Sequence, residues 1–200
     1  MSAETLATVA VALGAGWASG LNAYAAVLVL GAAQRFGLVV LPHDLHVLAS
    51  PWVMGTAGLL FALNFFADKI PYVDSVNDAL QTFVRIPAGA LLAYGAAAGL
   101  SSEVAAIAGL LGGTLAAGTH VAKTGSRALI NASPEPFTNI LASFGEDVAV
   151  IGGLALAIAH PITFLCLLAL FLLLLIWLLP KLIRFALIPF RRLARGRPRP

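Results

Sequence analysis

The stretch Asn131–Val150, NASPEPFTNILASFGEDVAV, opens with the signals of a helix start. Ser133 can cap, Pro134 suits a first turn where its missing N–H costs nothing, and Glu135 meets the positive end of the helix dipole. The helix that follows is apolar, yet it carries Glu146 and Asp147 side by side. Even on a lenient insertion scale an unpaired charge at the centre of a bilayer costs about 2.5–3.5 kcal/mol. The acidic pair therefore needs basic partners on neighbouring helices, or a wet cavity to face.

The rest of the chain supplies the oily setting. Of 200 residues, 60% are hydrophobic and 10% charged, with a mean hydropathy of +0.94; soluble domains carry about 25% charged residues. This composition predicts an all-α integral membrane protein. The net charge of +3 hides an asymmetry. Residues 181–200, KLIRFALIPFRRLARGRPRP, hold seven Lys or Arg and no acid, which leaves five basic residues against nine acidic ones before them. Such a tail, basic and interleaved with Leu, Ile and Phe, suits the anionic headgroups of the cytoplasmic leaflet and is a topology signal rather than a nucleic-acid site. The first run, MSAETLATVAVALGAGWASG, has no basic residue ahead of its apolar part and reads as a membrane helix, not a cleaved signal peptide.

Apolar runs measured against the roughly 20 residues needed to cross a bilayer predict six spans, near 5–34, 52–69, 78–100, 104–126, 138–160 and 162–180. They make a transmembrane domain over 1–180, followed by the tail. The first run is overlong, and Gly16, Gly20 and Asn22 mark where a break or tilt would absorb the surplus. With the tail inside, six spans place the N-terminus inside as well. Lys69, Lys123 and Arg127 then fall on the cytoplasmic side, and Arg35 and Glu103 outside. Ser50 before Pro51 reads as the start of span two, and Ser75 with Asp78 as a capping box for span three.

An internal repeat is also suggested. GAGWASGLN at 14–22 resembles GGTLAAGTH at 112–120, pairing Asn22 with His120, and an Ala-Ser-Pro follows each copy, at 49–51 and 132–134. Three spans in each half, 1–100 and 101–180, would make the copies inverted, with Asn22 and His120 at paired helix breaks, as in many secondary transporters. Recurrence of small residues in an Ala- and Gly-rich chain is the competing explanation. Gly-x-x-x-Gly at 16–20, 95–99 and 109–113 predicts close helix packing and nothing about function.

Depth follows from topology. Counting about 1.5 Å per residue from Asn139 puts Glu146 and Asp147 on the order of 10 Å inside the cytoplasmic face, a depth that Arg85 shares. Asp68, Lys69, His120, Lys123 and Arg127 approach the same level, and Arg85 is the expected partner of the acidic pair. Such a network either fixes helix register or lines a path in which an acid or His120 changes protonation.

Other signals are sparse. Cys166, the one cysteine, lies in an apolar run and is expected to pack. HDLH at 43–46 offers two imidazoles and a carboxylate but no further ligand nearby, so no metal site is expected. The chain carries no zincin helix, phosphate loop, nucleophile elbow or Rossmann fingerprint. No catalytic residue and no cofactor are expected.

SGLNAY at 19–24, DKIPYVDSVND at 68–78 with RIPAGALLA at 85–93, and HVAKTGSRALINASPEPFTNILASFGED at 120–147 resemble a family of small bacterial membrane proteins known as domain of unknown function 4126. The resemblance spans roughly residues 10–160. It implies a shared polar set at Asn22, Asp68, Lys69, Asp74, Arg85, His120, Lys123, Arg127, Asn131, Glu135, Asn139, Glu146 and Asp147, and it carries no established activity.

These readings converge on a multi-pass protein of the inner (plasma) membrane that moves a small solute or ion through a charged cavity on the cytoplasmic side. Asn22, Asp68, Lys69, Arg85, His120, Lys123, Arg127, Glu135, Asn139, Glu146 and Asp147 are the candidate pathway residues. A membrane scaffold and a lipid-handling protein, scramblase or headgroup enzyme, are the alternatives. The expected partners are the bilayer, anionic headgroups at the tail and the unknown solute or ion, with no nucleic acid and a homo-oligomer left open.

Overall fold

The computed structural model describes residues 2–70, 72–130 and 136–195. These form six α-helices and one 3₁₀ segment, with no strand among the described residues: α1 Ala3–Arg35, the 3₁₀ segment His43–Ala49, α2 Pro51–Ala67, α3 Val73–Ala97, α4 Ser102–Ile130, α5 Pro136–Ala159 and α6 Pro161–Arg195. Contacts divide the chain into two units, Met1–Leu165 and Cys166–Pro200.

Polarity is arranged inside out. Asp68, Asp74, Asp78, Arg85, Lys123 and Arg127 are buried, while Leu59, Leu63, Phe83, Leu91, Leu110 and Val148 are exposed. Water would penalise that outer surface, and hydrocarbon suits it. Ala3–Arg35, Ser102–Ile130, Phe137–Ala159 and Pro161–Leu178 are long and apolar enough to cross a membrane, and the pair His43–Ala49 and Pro51–Ala67, bent by 63°, makes a fifth candidate. The chain is thus a multi-pass membrane protein. α3 falls outside this set, since Asp74, Asp78, Gln81 and Arg85 make its first half polar.

α1 departs from the expectation of a single crossing. Asn22 inside it is extended rather than helical (φ −156°, ψ 99°). A straight helix of 33 residues would separate its ends by about 50 Å. Instead Glu4, Thr5 and Thr8 line the same cavity of about 640 Å³ as Leu38 to Pro42, Gly99 and Leu100. The chain therefore turns back at Asn22, so that α1 is two arms, 3–21 and 23–35. The second arm returns along the 3₁₀ segment that precedes α2, where Gly31 packs on the Leu48 carbonyl and Arg35 donates to Ala49 O at 3.4 Å. The predicted break is present, and it redirects the chain rather than shortening a span.

Small residues let the helices approach. A Cβ on Gly16 would strike the backbone of Gly112, and one on Gly89 would lie 2.6 Å from the Ala116 Cβ. Gly20 meets Ala116 and Thr119. This seam joins the first arm of α1 to α3 and α4, the close packing that Gly-rich membrane interfaces permit. Its register corrects the inverted-repeat expectation: moving from Gly16 to Gly20 moves the contact from Gly112 to Ala116, so the first arm and α4 run in the same direction. The second Ala-Ser-Pro, together with Ser133 and Glu135, lies outside the described residues.

Two helix starts can be compared with expectation. Ser50 accepts from Val53 N at 3.2 Å and caps α2, with Pro51 in its first turn. α3 begins earlier than expected, after Tyr72, whose φ of 69° is left-handed. Ser75 therefore sits inside the helix and Asp78 is released from capping for other contacts. In the second unit, Cys166 is exposed rather than packed, and Lys181 Nζ stands 2.8 Å from the centre of the Trp177 ring. The helix continues through Arg195 into the basic tail, whose last five residues lie outside the described part.

Candidate functional site

Helical spacing gathers the polar groups onto facing stripes. On α4, His120, Lys123 and Arg127 lie three and four residues apart, which aligns them on one face. Asn139, Ser143, Glu146 and Asp147 do the same on α5, and Asp74, Asp78 and Arg85 on α3. α2 ends with Asn64, Asp68 and Lys69, and α1 contributes its break at Asn22.

Lys123 stands at the centre. Its ammonium lies 2.6 Å from Asp68, 3.3 Å from Asp78 and 3.2 Å from Glu146, reaching carboxylates on α3 and α5 and at the end of α2. Arg85 binds Asp78 at 2.8 Å. Arg127 takes Glu146 with two hydrogen bonds, Nε to Oε1 at 3.1 Å and Nη2 to Oε2 at 2.8 Å. Its Nη1 donates to Asp68 O at 3.3 Å, to Asn139 O at 2.9 Å and to Asn139 Oδ1. Three helices are thereby tied through one guanidinium, a use of its fixed fork that an ammonium could not copy.

A neutral shell surrounds the ions. Asn77 donates to Asn64 Oδ1 at 2.8 Å and to Asp68 Oδ1 at 3.0 Å, while Asn64 donates to Asp68 Oδ2 at 3.2 Å. The Lys69 ammonium donates to Phe65 O and Ser143 Oγ and lies over the Phe65 ring. Arg85 can only donate, so His120 Nδ1, 3.2 Å from Arg85 Nη1, accepts. Nε2 then carries the proton and donates to Thr82 Oγ1 at 2.7 Å, which in turn donates to Asp78 O at 3.1 Å. The imidazole in this arrangement is neutral.

At the α1 break the two arms present opposite ends of a helix. Leu21 O, in the last turn of the first arm, accepts from Lys123 Nζ at 3.4 Å. Asn22 caps the second arm, its Oδ1 accepting from Ala25 N at 3.1 Å, and its Nδ2 donates to Asp147 Oδ1 at 3.2 Å. A cation thus sits at the negative end of one arm and an acid at the positive end of the other, as the helix dipole favours.

Five acids, Asp68, Asp74, Asp78, Glu146 and Asp147, face four bases, Lys69, Lys123, Arg85 and Arg127, and the Asp74 charge acts on Arg127. Three buried polar atoms of this cluster lack a hydrogen-bond partner: Asp78 Oδ2, Arg85 Nε and Asp147 Oδ2.

The expected convergence of Asp68, Lys69, Arg85, His120, Lys123, Arg127, Glu146 and Asp147 is present, and the candidate residues Asn22 and Asn139 join it. Its pairing differs. Arg85 binds Asp78 on its own helix, and Glu146 takes Arg127 and Lys123. His120 lies within an α4 that is continuous from Ser102 to Ile130, so it does not mark a helix break paired with Asn22. Asn131 and Glu135 lie outside the described residues. Asn64, Asn77, Thr82 and the ionic role of Asp78 were missed. The seven-residue spacing from Asp78 to Arg85, two turns on one face, was the available signal. HDLH is spent locally, with His46 Nε2 on Leu41 O at 2.8 Å.

The family model described as Domain of unknown function (DUF4126) matches residues 9–181. The chain belongs to that family. No curated protein and no solved structure matches it. The family match encloses every member of the charged cluster, along with the α1 break on which it closes.

Proposed function

We propose that this protein moves a small ion or solute across the inner (plasma) membrane through the charged cluster. One observation carries the reading: an interrupted helix places the ends of two arms against buried charges of both signs. Secondary transporters use discontinuous helices in this way, the freed helix ends holding ions of opposite charge. Asp68, Glu146 and Asp147 are the cation-binding or coupling groups; Lys123 holds Asp68 and Glu146 or receives an anion, and Arg85, paired with Asp78, receives an anion.

Lys69, Lys123 and Arg127 lie near the connections at the cluster end, against Arg35 alone at the other end of the first unit, which favours a cytoplasmic cluster. Glu4 and Leu100 share a cavity at the far end of α3 from Asp78. The Glu4 end of α1 then faces outside, in place of the inside position first expected. The basic tail is a site for anionic headgroups.

The test is flux in proteoliposomes loaded with ion-sensitive dyes, wild type beside Glu146→Gln/Asp147→Asn. Flux lost from a variant that stays folded supports the proposal, and unchanged flux sinks it. A scaffold reading draws on the fact that Lys123 and Arg127 are wholly engaged by cluster partners. On that reading Arg127→Glu with Glu146→Arg restores folding and cellular function together.

A further inference from the structure

We infer that Asp147 is a proton-binding residue, its Oδ2 taking up and releasing a proton at the break between the two arms of α1. The assignment rests on the transport reading and names the proton as the ion coupled there.

The position of the carboxyl group carries the argument. Asp147 is 8% exposed, on a helix that crosses the apolar body of the protein. Oδ1 is held by Asn22 Nδ2 at 3.2 Å, and Oδ2 is buried without a partner. Glu146, one residue earlier, is fully committed to Arg127 and Lys123. A buried carboxylate with one oxygen unsatisfied is costly, and a proton removes its charge without needing room for a larger ligand. The step is simple in balance: a proton from water adds to a lone pair of Oδ2, and the carboxylate becomes a neutral carboxyl.

The surroundings make that step consequential. Lys69 and Asp68 face Asp147 from the end of α2 and Lys123 from α4, while Asn22 faces it from α1. With Asp74, whose charge acts on Arg127, the cluster holds five acids and four bases. Protonation removes the negative charge that Asp147 sets against Lys69 and Lys123, which weakens the hold on the cations around the α1 break. Uptake of one proton is thereby linked to the contacts that keep the two arms in place.

Infrared difference spectroscopy of the purified full chain, titrated from mildly acidic to mildly alkaline pH, reads the carboxyl directly and needs no transport. A protonated-carboxyl band that disappears on raising the pH, and is missing from Asp147→Asn, is the expected result. Asn22→Ala keeps Asp147 but removes a donor to its ionised form, so the band should persist to higher pH. This variant keeps the test open should Asp147→Asn fail to fold. The absence of any such band in wild type, or a band unmoved by both substitutions, overturns the assignment. A band displaced by sodium or potassium at constant pH also overturns it, in favour of a metal cation. Flux without the band refutes the proton site and leaves transport standing; the band without flux does the reverse.

Discussion

Arg127 and Glu146, on neighbouring helices α4 and α5, meet through two hydrogen bonds at 3.1 and 2.8 Å, and the same guanidinium holds the Asp68 and Asn139 carbonyls. Breaking a buried pair by removing one partner costs about 3–5 kcal/mol, because the other charge is left buried. Arg127→Ala should lose stability on that scale in denaturant unfolding of detergent-purified protein. Arg127→Lys keeps the charge but not the fork, and should fall between Ala and wild type.

Arg85 and Asp78 are direct partners on α3 at 2.8 Å, whereas Arg85 and Glu146 are not paired. A double-mutant cycle of Arg85→Gln with Asp78→Asn should show coupling of about 0.5–3 kcal/mol. The cycle with Glu146→Gln should be closer to additive. Equal coupling in both cycles would contradict the pairing described.

The return of α1 at Asn22 predicts a short distance between residues far apart on one helix. Spin labels at Thr5→Cys and Leu38→Cys, with Cys166→Ser, should lie well inside the roughly 50 Å of a straight helix of this length. A distance near that value would show an uninterrupted α1.

Glycine seams should be selective. Gly89→Ala sets a Cβ 2.6 Å from that of Ala116 and should lower the melting temperature. Gly152 has nothing within 4 Å of its added Cβ. Gly152→Ala should be neutral or stabilising by about 0.5–1 kcal/mol, the helical advantage of Ala over Gly. Thermal unfolding of the two variants side by side decides this.

Composition and periodicity by themselves determined that the chain is helical and membrane-embedded, because both depend on local features that any packing must respect. The stripe of His120, Lys123 and Arg127, the Ser50 cap and the break at Asn22 were legible for the same reason: each is a matter of residues within two turns of one another. Partner choice was decided only by tertiary structure. Lys123 reaches Asp68, Asp78 and Glu146 because faces of separate helices meet at its depth, and no spacing in sequence encodes that meeting. The course of α1 was decided the same way. Asn22 can interrupt a helix, but the direction taken afterwards depends on Gly31 finding the Leu48 carbonyl, and on the parallel seam of Gly16 and Gly20 against Gly112 and Ala116.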